Sequence, residues 1–215
     1  MIILMKKNNV VLISLLFLLC IALYSLNIGG QGAASANAGQ DSARVVLLDP
    51  GHGGEDPGAV SDYSGIKEKD INLSIAIKVR QLLEQNNYRV LMTREEDRLY
   101  YGTETRNIVQ KRREDLTRRK KMMDEAGADI VVSIHLNKFP QTQYFGAQAF
   151  FPPNSPDSRR LADNIQTAVR ELVDPTNRRE ALVKKEPIII LKNNKTTTAI
   201  IECGFLSNPE EEKKL

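Results

Sequence analysis

The chain has 215 residues, of which 41% are hydrophobic, and its formal net charge is +3 at pH 7. This length and apolar content are enough for one globular domain with a sizeable core and a short extension. Cys20 lies in an apolar leader and Cys203 stands alone in the rest of the chain, which excludes an intrachain disulfide once the leader is removed.

The basic residues are clustered locally, between Arg106 and Lys121. Such a cluster could contact nucleic acid, an anionic membrane or an anionic wall polymer, but no nucleic-acid-binding motif or aromatic interleaving accompanies it. We therefore predict no nucleic-acid partner. The cluster is interpreted as a solvated helix face that is balanced by four acids, namely Glu114, Asp115, Asp124 and Glu125.

The N-terminus has the pattern of an export signal. Two lysines precede an apolar run from Val10 to Leu26, and small and polar residues follow it. Ala34-Ser35-Ala36 fits a signal-peptidase site, yet the run also reaches the lower limit of about 17 residues for a membrane span. Residues 1–43 are thus expected to be a signal peptide or membrane anchor with a linker. Residues 44–215 are expected to form the folded domain of an exported protein.

Strands and helices alternate in the first half of the predicted domain. An apolar strand from Arg44 to Leu48 enters a Gly-rich loop, a helix spans Asp70 to Asn86, and a second strand spans Arg89 to Thr93. This order is the start of a parallel α/β sheet. A helix from Glu114 to Ala126 then leads into an apolar strand from Asp129 to Ile134.

The alternation continues in the second half. The pattern predicts a strand from Ala147 to Phe151, a helix from Ser158 to Leu172, a strand from Ile188 to Leu191 and a last strand from Thr198 to Glu202. The last residues, from Glu210 onward, are typical of the first turn of a helix that is cut short. We predict a single α/β domain in which a twisted, mostly parallel sheet is flanked by helices on both faces.

Two histidines are the main clue to chemistry. His52 and His135 are the only histidines of the chain, and each follows an apolar strand at the edge where open α/β sheets place their ligand sites. A lone His at a strand end is more often structural, but two at equivalent edges with acids nearby favour a metal site. Zinc hydrolases typically use three protein ligands and one water. Spacing does not choose the third ligand among four acids: Glu55, Asp56, Glu68 and Asp70.

Another acid, Glu202, ends the last predicted strand. The strongly apolar Thr198 to Ile201 segment precedes it, which would place a carboxylate at the same sheet edge as the histidines. There it could act as a general base or acid. An acid at a helix N-terminus or in an ion pair is about equally compatible with the spacing.

Four motifs follow one another along the chain. They are Leu48-Asp49-Pro50-Gly51-His52-Gly53-Gly54, Glu68-Lys69-Asp70-Ile71-Asn72-Leu73, Ser133-Ile134-His135-Leu136-Asn137 and Glu202-Cys203-Gly204-Phe205-Leu206-Ser207-Asn208. Together and in this order they resemble the amidase-3 family of N-acetylmuramoyl-L-alanine amidases. The resemblance implies a zinc ion held by His52, Glu68 and His135, and a catalytic acid/base at Glu202. It implies hydrolysis of the amide bond between N-acetylmuramic acid and L-alanine in peptidoglycan.

Three further positions match the family without an implied catalytic role. The pair Thr93-Arg94 and Arg119 are interpreted as support for the fold, and Cys203 as a small buried hydrophobic residue. Members of the family continue past the Ser-Asn-Pro-Glu turn with a final helix, so the resemblance implies that this helix is truncated at Leu215.

A finer resemblance concerns the sporulation amidases, which act on spore-cortex peptidoglycan. The layout of leader plus catalytic domain, with Tyr101-Gly102-Thr103 and Arg112-Arg113-Glu114-Asp115-Leu116, is similar to theirs. It implies removal of stem peptides before a separate deacetylase forms muramic-δ-lactam, outside the cytoplasmic membrane around the forespore. An activating lipoprotein is a candidate partner, as is the membrane itself if the leader is uncleaved.

Alternatives from other classes remain at the level of sequence. The chain could be a noncatalytic peptidoglycan-binding or regulatory module with the same fold. A zinc peptidase acting within the stem peptide is less favoured, because the chain lacks a His-Glu-x-x-His helix. A phosphate-binding loop at Gly51 to Gly54 is disfavoured, because it lacks the Lys-Ser/Thr pair of a P-loop.

Overall fold

The computed structural model describes residues 43–184 and 188–215. The export signal or anchor predicted within residues 1–43, including the Val10 to Leu26 run, lies outside this described part. No helix in the described ranges is long and apolar enough to cross a membrane.

Six strands and four α-helices, with one short 3₁₀ helix, make up the described fold. In chain order they are β1 (Val45–Pro50), α1 (Glu68–Gln85), β2 (Arg89–Met92), α2 (Ile108–Glu125), β3 (Ile130–Asn137), β4 (Gln148–Phe151), α3 (Pro156–Leu172), β5 (Leu182–Val183), the 3₁₀ helix (Ile189–Leu191), β6 (Thr197–Phe205) and α4 (Pro209–Glu212).

The strands form one sheet in the order β2-β1-β3-β6-β4-β5. Strand β1 pairs in parallel with β2 and β3, β3 pairs in parallel with β6, and β4 pairs in parallel with β5. Only the β4–β6 pair is antiparallel within the described residues. The predicted single α/β domain with a mostly parallel sheet is confirmed.

Apolar side chains cover both faces of the sheet. On β1, Val46 and Leu48 belong to a large core cluster with residues of α1 and α3, whereas Leu47 belongs to a second cluster with Met123 of α2 and Ile190 of the 3₁₀ helix. Successive residues of a strand point to opposite faces. A continuous apolar run is therefore what a strand between two helical layers requires.

Some predicted boundaries change in the structure. Helix α2 begins at Ile108, six residues before the expected start, because the Asn107 side chain caps it by accepting a hydrogen bond from the Val109 N–H at 2.8 Å. The strand predicted from Ile188 to Leu191 is wrong, since a 3₁₀ helix occupies Ile189–Leu191 and buries Ile190. A short apolar run has no distinguishing period, so only packing decides its conformation.

The two strands that carry candidate site residues are longer than predicted. Strand β3 runs to Asn137, so His135 lies within a strand and not after it. Strand β6 runs to Phe205, so Glu202 lies inside this strand and not at its end. Their side chains are consequently positioned by the sheet register itself.

Candidate active site

His52, Glu68 and His135 come together at the C-terminal edge of the parallel strands. Nε2 of His52 lies 3.2 Å from Oε1 of Glu68, and Nδ1 of His135 lies 2.9 Å from the same oxygen. One potential ligand atom from each of the three residues lies within 4.8 Å of the others. Two imidazoles and one carboxylate at this spacing fit a zinc ion with bonds of about 2.0–2.2 Å. The group could therefore hold a metal ion.

Several contacts hold the Glu68 carboxylate in this position. Its Oε2 accepts a hydrogen bond from the Ala59 N–H at 2.8 Å, and its Oε1 accepts one from the Leu136 N–H at 3.1 Å. The Asn72 side chain, one turn later in α1, donates to Oε1 at 3.2 Å. Glu68 is the first residue of α1, where the helix dipole favours a negative charge.

The backbone before His52 approaches the His135 ring closely. A Cβ atom added at Gly51 would collide with that ring. His52 itself has a φ of 63°, in the left-handed region that few non-glycine residues adopt. The Gly-rich loop thus allows two imidazoles to meet, with ring centroids 5.1 Å apart.

The other three acids that the spacing allowed as the third ligand have different partners or are exposed. Asp56 contacts His52 instead, with Oδ2 2.7 Å from Nδ1, and its Oδ1 lies 2.8 Å from Nη2 of Arg112. Glu55 pairs with Lys111 at 2.7 Å, and Asp70 is exposed. A carboxylate on the second nitrogen of an imidazole fixes its tautomer and orientation.

The contact between His52 and Glu68 shifts the pKa values of both side chains. Burial disfavours the charged form of His52, but hydrogen bonds to Asp56 and Glu68 outweigh it and raise the pKa of His52 to about 9. Burial likewise acts to raise the pKa of Glu68, yet hydrogen bonds from His135 and His52 hold that pKa far below its usual range. In the metal-free chain, His52 therefore carries a proton that a metal ion would have to displace.

A buried ion network lies beneath the site. Arg119 of α2 reaches Oδ1 of Asp49 at 3.0 Å and Oδ2 of Asp115 at 2.6 Å, and it donates to the backbone carbonyl of His52 at 2.7 Å. Arg119 is 1% exposed and Asp115 2%. The prediction of a solvated face is therefore wrong for these two residues, because they pair with each other and with a carboxylate of β1.

Two other positions that match the family support the same loop. Arg94 donates to the backbone carbonyls of Pro50 and Gly51, both at 2.9 Å, and Thr93 donates to Oδ1 of Asp49 at 2.6 Å. These contacts agree with the support role predicted from sequence. Cys203 is a buried free cysteine, as expected, and burial raises the pKa of its thiol.

Glu202 lies on the strand next to that of His135. In the sheet register it pairs with His135 on β3 and with Gln148 on β4. Residues that face each other across paired strands point to the same side of the sheet, with Cβ atoms roughly 5 Å apart in antiparallel pairs. Nζ of Lys184 lies 3.7 Å from Oε1 of Glu202. Sequence reasoning did not single out Lys184 or Gln148, because neither belongs to a local motif.

Comparison with known proteins identifies the family to which the chain is similar. The model of the family Amidase_3, N-acetylmuramoyl-L-alanine amidase, matches residues 46–215. The germination-specific N-acetylmuramoyl-L-alanine amidase of Bacillus subtilis (strain 168) is 36% identical over 170 residues, which cover 79% of this chain and 70% of that relative. The amidase AmiC of Escherichia coli O6:H1 is 30% identical over 228 residues, covering 86% of this chain but 51% of AmiC.

Solved structures give the same result. The CwlD amidase from Clostridioides difficile, in complex with the GerS lipoprotein, is 43% identical with a TM-score of 0.76, and the match covers 79% of this chain and 86% of CwlD. An N-acetylmuramoyl-L-alanine amidase from Clostridium difficile 630 is 32% identical with a TM-score of 0.67, over 80% of this chain and 84% of that one. The chain therefore belongs to the Amidase_3 family of N-acetylmuramoyl-L-alanine amidases.

Proposed function

We propose that this chain is a zinc-dependent amidase that hydrolyses the bond between N-acetylmuramic acid and L-alanine in peptidoglycan. The observation that carries the proposal is the group of two imidazoles and one carboxylate, within 4.8 Å of one another, next to Glu202 in the sheet register. The catalytic domain in this proposal is residues 44–215, and residues 1–43 export or anchor it.

His52, Glu68 and His135 would hold the zinc ion, since catalytic zinc sites commonly use two imidazoles and one carboxylate and keep one position for water. The bound ion would polarise the scissile carbonyl and lower the pKa of water to about 7. Asp56 keeps the His52 ring in the orientation that directs Nε2 at the site, through the 2.7 Å contact to Nδ1.

Glu202 would move the proton. Its carboxylate accepts a proton from the attacking water and returns it to the leaving nitrogen of L-alanine, which must be protonated before it can depart. The β3–β6 register supports this role, because it sets Glu202 beside His135. Lys184, 3.7 Å away, supplies a positive charge next to this carboxylate.

We infer that the peptidoglycan is that of the spore cortex. Support comes from the germination-specific relative at 36% identity and from CwlD at 43% identity. The reaction would remove stem peptides ahead of muramic-δ-lactam formation, outside the cytoplasmic membrane. Because CwlD was solved with the GerS lipoprotein, a lipoprotein is the partner we propose for this chain.

The zinc content of the purified chain, measured beside its release of L-alanine amino termini from peptidoglycan, tests the proposal. We expect about one zinc per chain and amine release, with both lost in His135→Ala. In Glu202→Gln we expect zinc to be kept and release to be lost. A folded, metal-free chain that binds peptidoglycan without cleaving it would contradict the proposal and favour a noncatalytic binding module.

A further inference from the structure

Arg179 is a cation held next to the proposed active site without an acidic partner among the described residues. Its Nε donates to the backbone carbonyl of Phe145 at 2.7 Å, and its Nη1 donates to Oε1 of Gln148 at 2.9 Å. The guanidinium also stacks over the ring of Phe205 at 4.7 Å. Within residues 43–184 and 188–215, no carboxylate lies within 4 Å of it and Nη2 makes no hydrogen bond.

Other cations near the site differ from Arg179 in this respect. Arg119 is paired with Asp49 and Asp115, and Lys184 lies beside Glu202. The acid that acts on Arg179 electrostatically is Glu211, but Oε2 of Glu211 is already used by the N–H groups of Gly146 and Phe205. A partly buried guanidinium with free donors is a favourable site for an anion, because charge-assisted hydrogen bonds there are strong.

The position of Arg179 is fixed relative to Glu202. The hydrogen bond from Arg179 goes to Gln148, and Gln148 lies directly opposite Glu202 across the β4–β6 pair. Directly opposite residues have Cβ atoms roughly 5 Å apart. Along the sheet edge the order is therefore His135, Glu202, Gln148 and then Arg179.

This order of residues indicates where the stem peptide of the substrate would lie, and that interpretation rests on the proposed function. If the scissile carbonyl lies at the His52, Glu68 and His135 group, and Glu202 protonates the leaving nitrogen, the stem peptide continues away from the histidines. It then extends toward β4 and Arg179. The stem peptide is the part of the substrate that carries free carboxylates, and a fixed guanidinium is suited to bind a carboxylate.

We propose that Arg179 binds a carboxylate of the stem peptide on the leaving-group side of the scissile amide. Arg179 is thus a substrate-binding residue that makes the enzyme prefer an anionic peptide. Gln148 and Phe205 orient the guanidinium, the former by accepting a hydrogen bond and the latter by stacking.

The test uses two muramoyl peptides that differ only in whether the peptide carboxyl groups are free or amidated. The full chain should cleave the free acid with a kcat/KM about tenfold to a hundredfold higher than the amide, mainly through KM. Arg179→Gln should abolish this preference. Arg179→Lys, which keeps the charge but not the planar geometry, should retain part of it. Arg178→Gln is the matched control, because the exposed Arg178 next to it donates, among the residues that the structure describes, only to the Pro175 carbonyl.

An unchanged acid-to-amide ratio in Arg179→Gln, or an equal fall on both substrates, would overturn the proposal. Binding of the same two peptides to the Glu202→Gln chain, with and without Arg179→Gln, separates this question from catalysis. If the wild-type chain cleaves neither peptide, the proposed function fails, while the affinity ratio still decides the role of Arg179. Far-UV circular dichroism and zinc content report whether each variant keeps its fold.

Discussion

The two halves of the candidate active site are held in place in different ways. The metal half, formed by His52, Glu68 and His135, has hydrogen bonds to nearly every polar atom and rests on the buried ion network around Arg119. The acid half, formed by Glu202 and Lys184, depends on strand register and on one ion pair of 3.7 Å.

The difference matches what each half would have to do. Ligands of a metal ion must be fixed before it binds, and outer partners that orient them commonly contribute 10–100-fold in affinity. A group that accepts and returns a proton must tolerate both of its charge states, which a dense set of donors would prevent. A substitution in one half should therefore change the property of that half, and the property of the other half shows whether the two are independent.

Removal of a proposed zinc ligand should have the largest effect. In Glu68→Ala we expect loss of zinc and of amidase activity, by well over the roughly 10–100-fold that an outer partner contributes. Zinc is measured by mass spectrometry and activity by the release of L-alanine amino termini. Asp70→Ala is the control, because removal of this exposed acid of the same helix should change neither zinc content nor activity. Equal losses of zinc and activity in both variants would contradict the role of Glu68 as a zinc ligand.

Glu202→Gln should perturb the acid half alone. Zinc content and unfolding temperature should stay close to those of the wild type, while kcat falls about 10²–10⁴-fold, which is the usual contribution of general acid–base catalysis. A variant that lost zinc together with activity would show that the two halves are not independent.

Arg119→Met tests the network beneath the metal half. It leaves Asp49 and Asp115 buried without their cation, so we expect a loss of about 3–5 kcal/mol in the free energy of unfolding. Urea denaturation measures it. Arg113→Met, at an exposed position of the same helix, should change stability by less than about 0.5 kcal/mol. Similar stabilities for the two variants would mean that the network contributes little.

Asp56→Asn should weaken the metal half without removing a ligand. The amide can still contact Nδ1 of His52, but it lacks the charge that favours the correct tautomer, so zinc affinity should fall about 10–100-fold. Competition with a chromophoric chelator gives the affinity. No change in affinity would argue that Asp56 does not orient the ligand.

We expect a change of one pH unit to alter zinc affinity less than the substitutions described above. Hydrogen bonds to Asp56 and Glu68 overcome the effect of burial and raise the pKa of His52 to about 9 in the metal-free chain, and zinc must displace this proton. Apparent affinity should therefore fall about tenfold for each unit below pH 9. Calorimetry in two buffers of different ionisation enthalpy should show close to one proton released at pH 7.5.

The same pKa predicts how the metal-free chain responds to pH. Because the pKa of His52 is raised on folding, its contribution to stability is complete below the unfolded value of 6.5. It is lost as the pH rises through about 9. Thermal unfolding of the zinc-free chain between pH 6 and pH 10 would show this loss, and a melting temperature that rises over this range would contradict it.

The sequence by itself determined the class of fold and the placement of the two histidines at the sheet edge. Strand and helix periods are local properties, and so is the position of a His after an apolar run, which placed both His52 and His135 at one sheet edge. The choice of Glu68 over the three other acids came from resemblance to the family, because spacing left it open. Local patterns failed where packing decides, as at the 3₁₀ helix Ile189–Leu191.

Only the tertiary structure decided which charges are buried and which partners they have. Arg119 and Asp49 are 70 residues apart and Ser133 and Asp49 are 84 apart, yet they share one buried cluster. The neighbours of Glu202 also come from other strands and loops, namely Gln148, Lys184 and, through Gln148, Arg179. A single sequence does not specify such pairs, because a charged residue has the same local pattern whether it meets water or a buried partner.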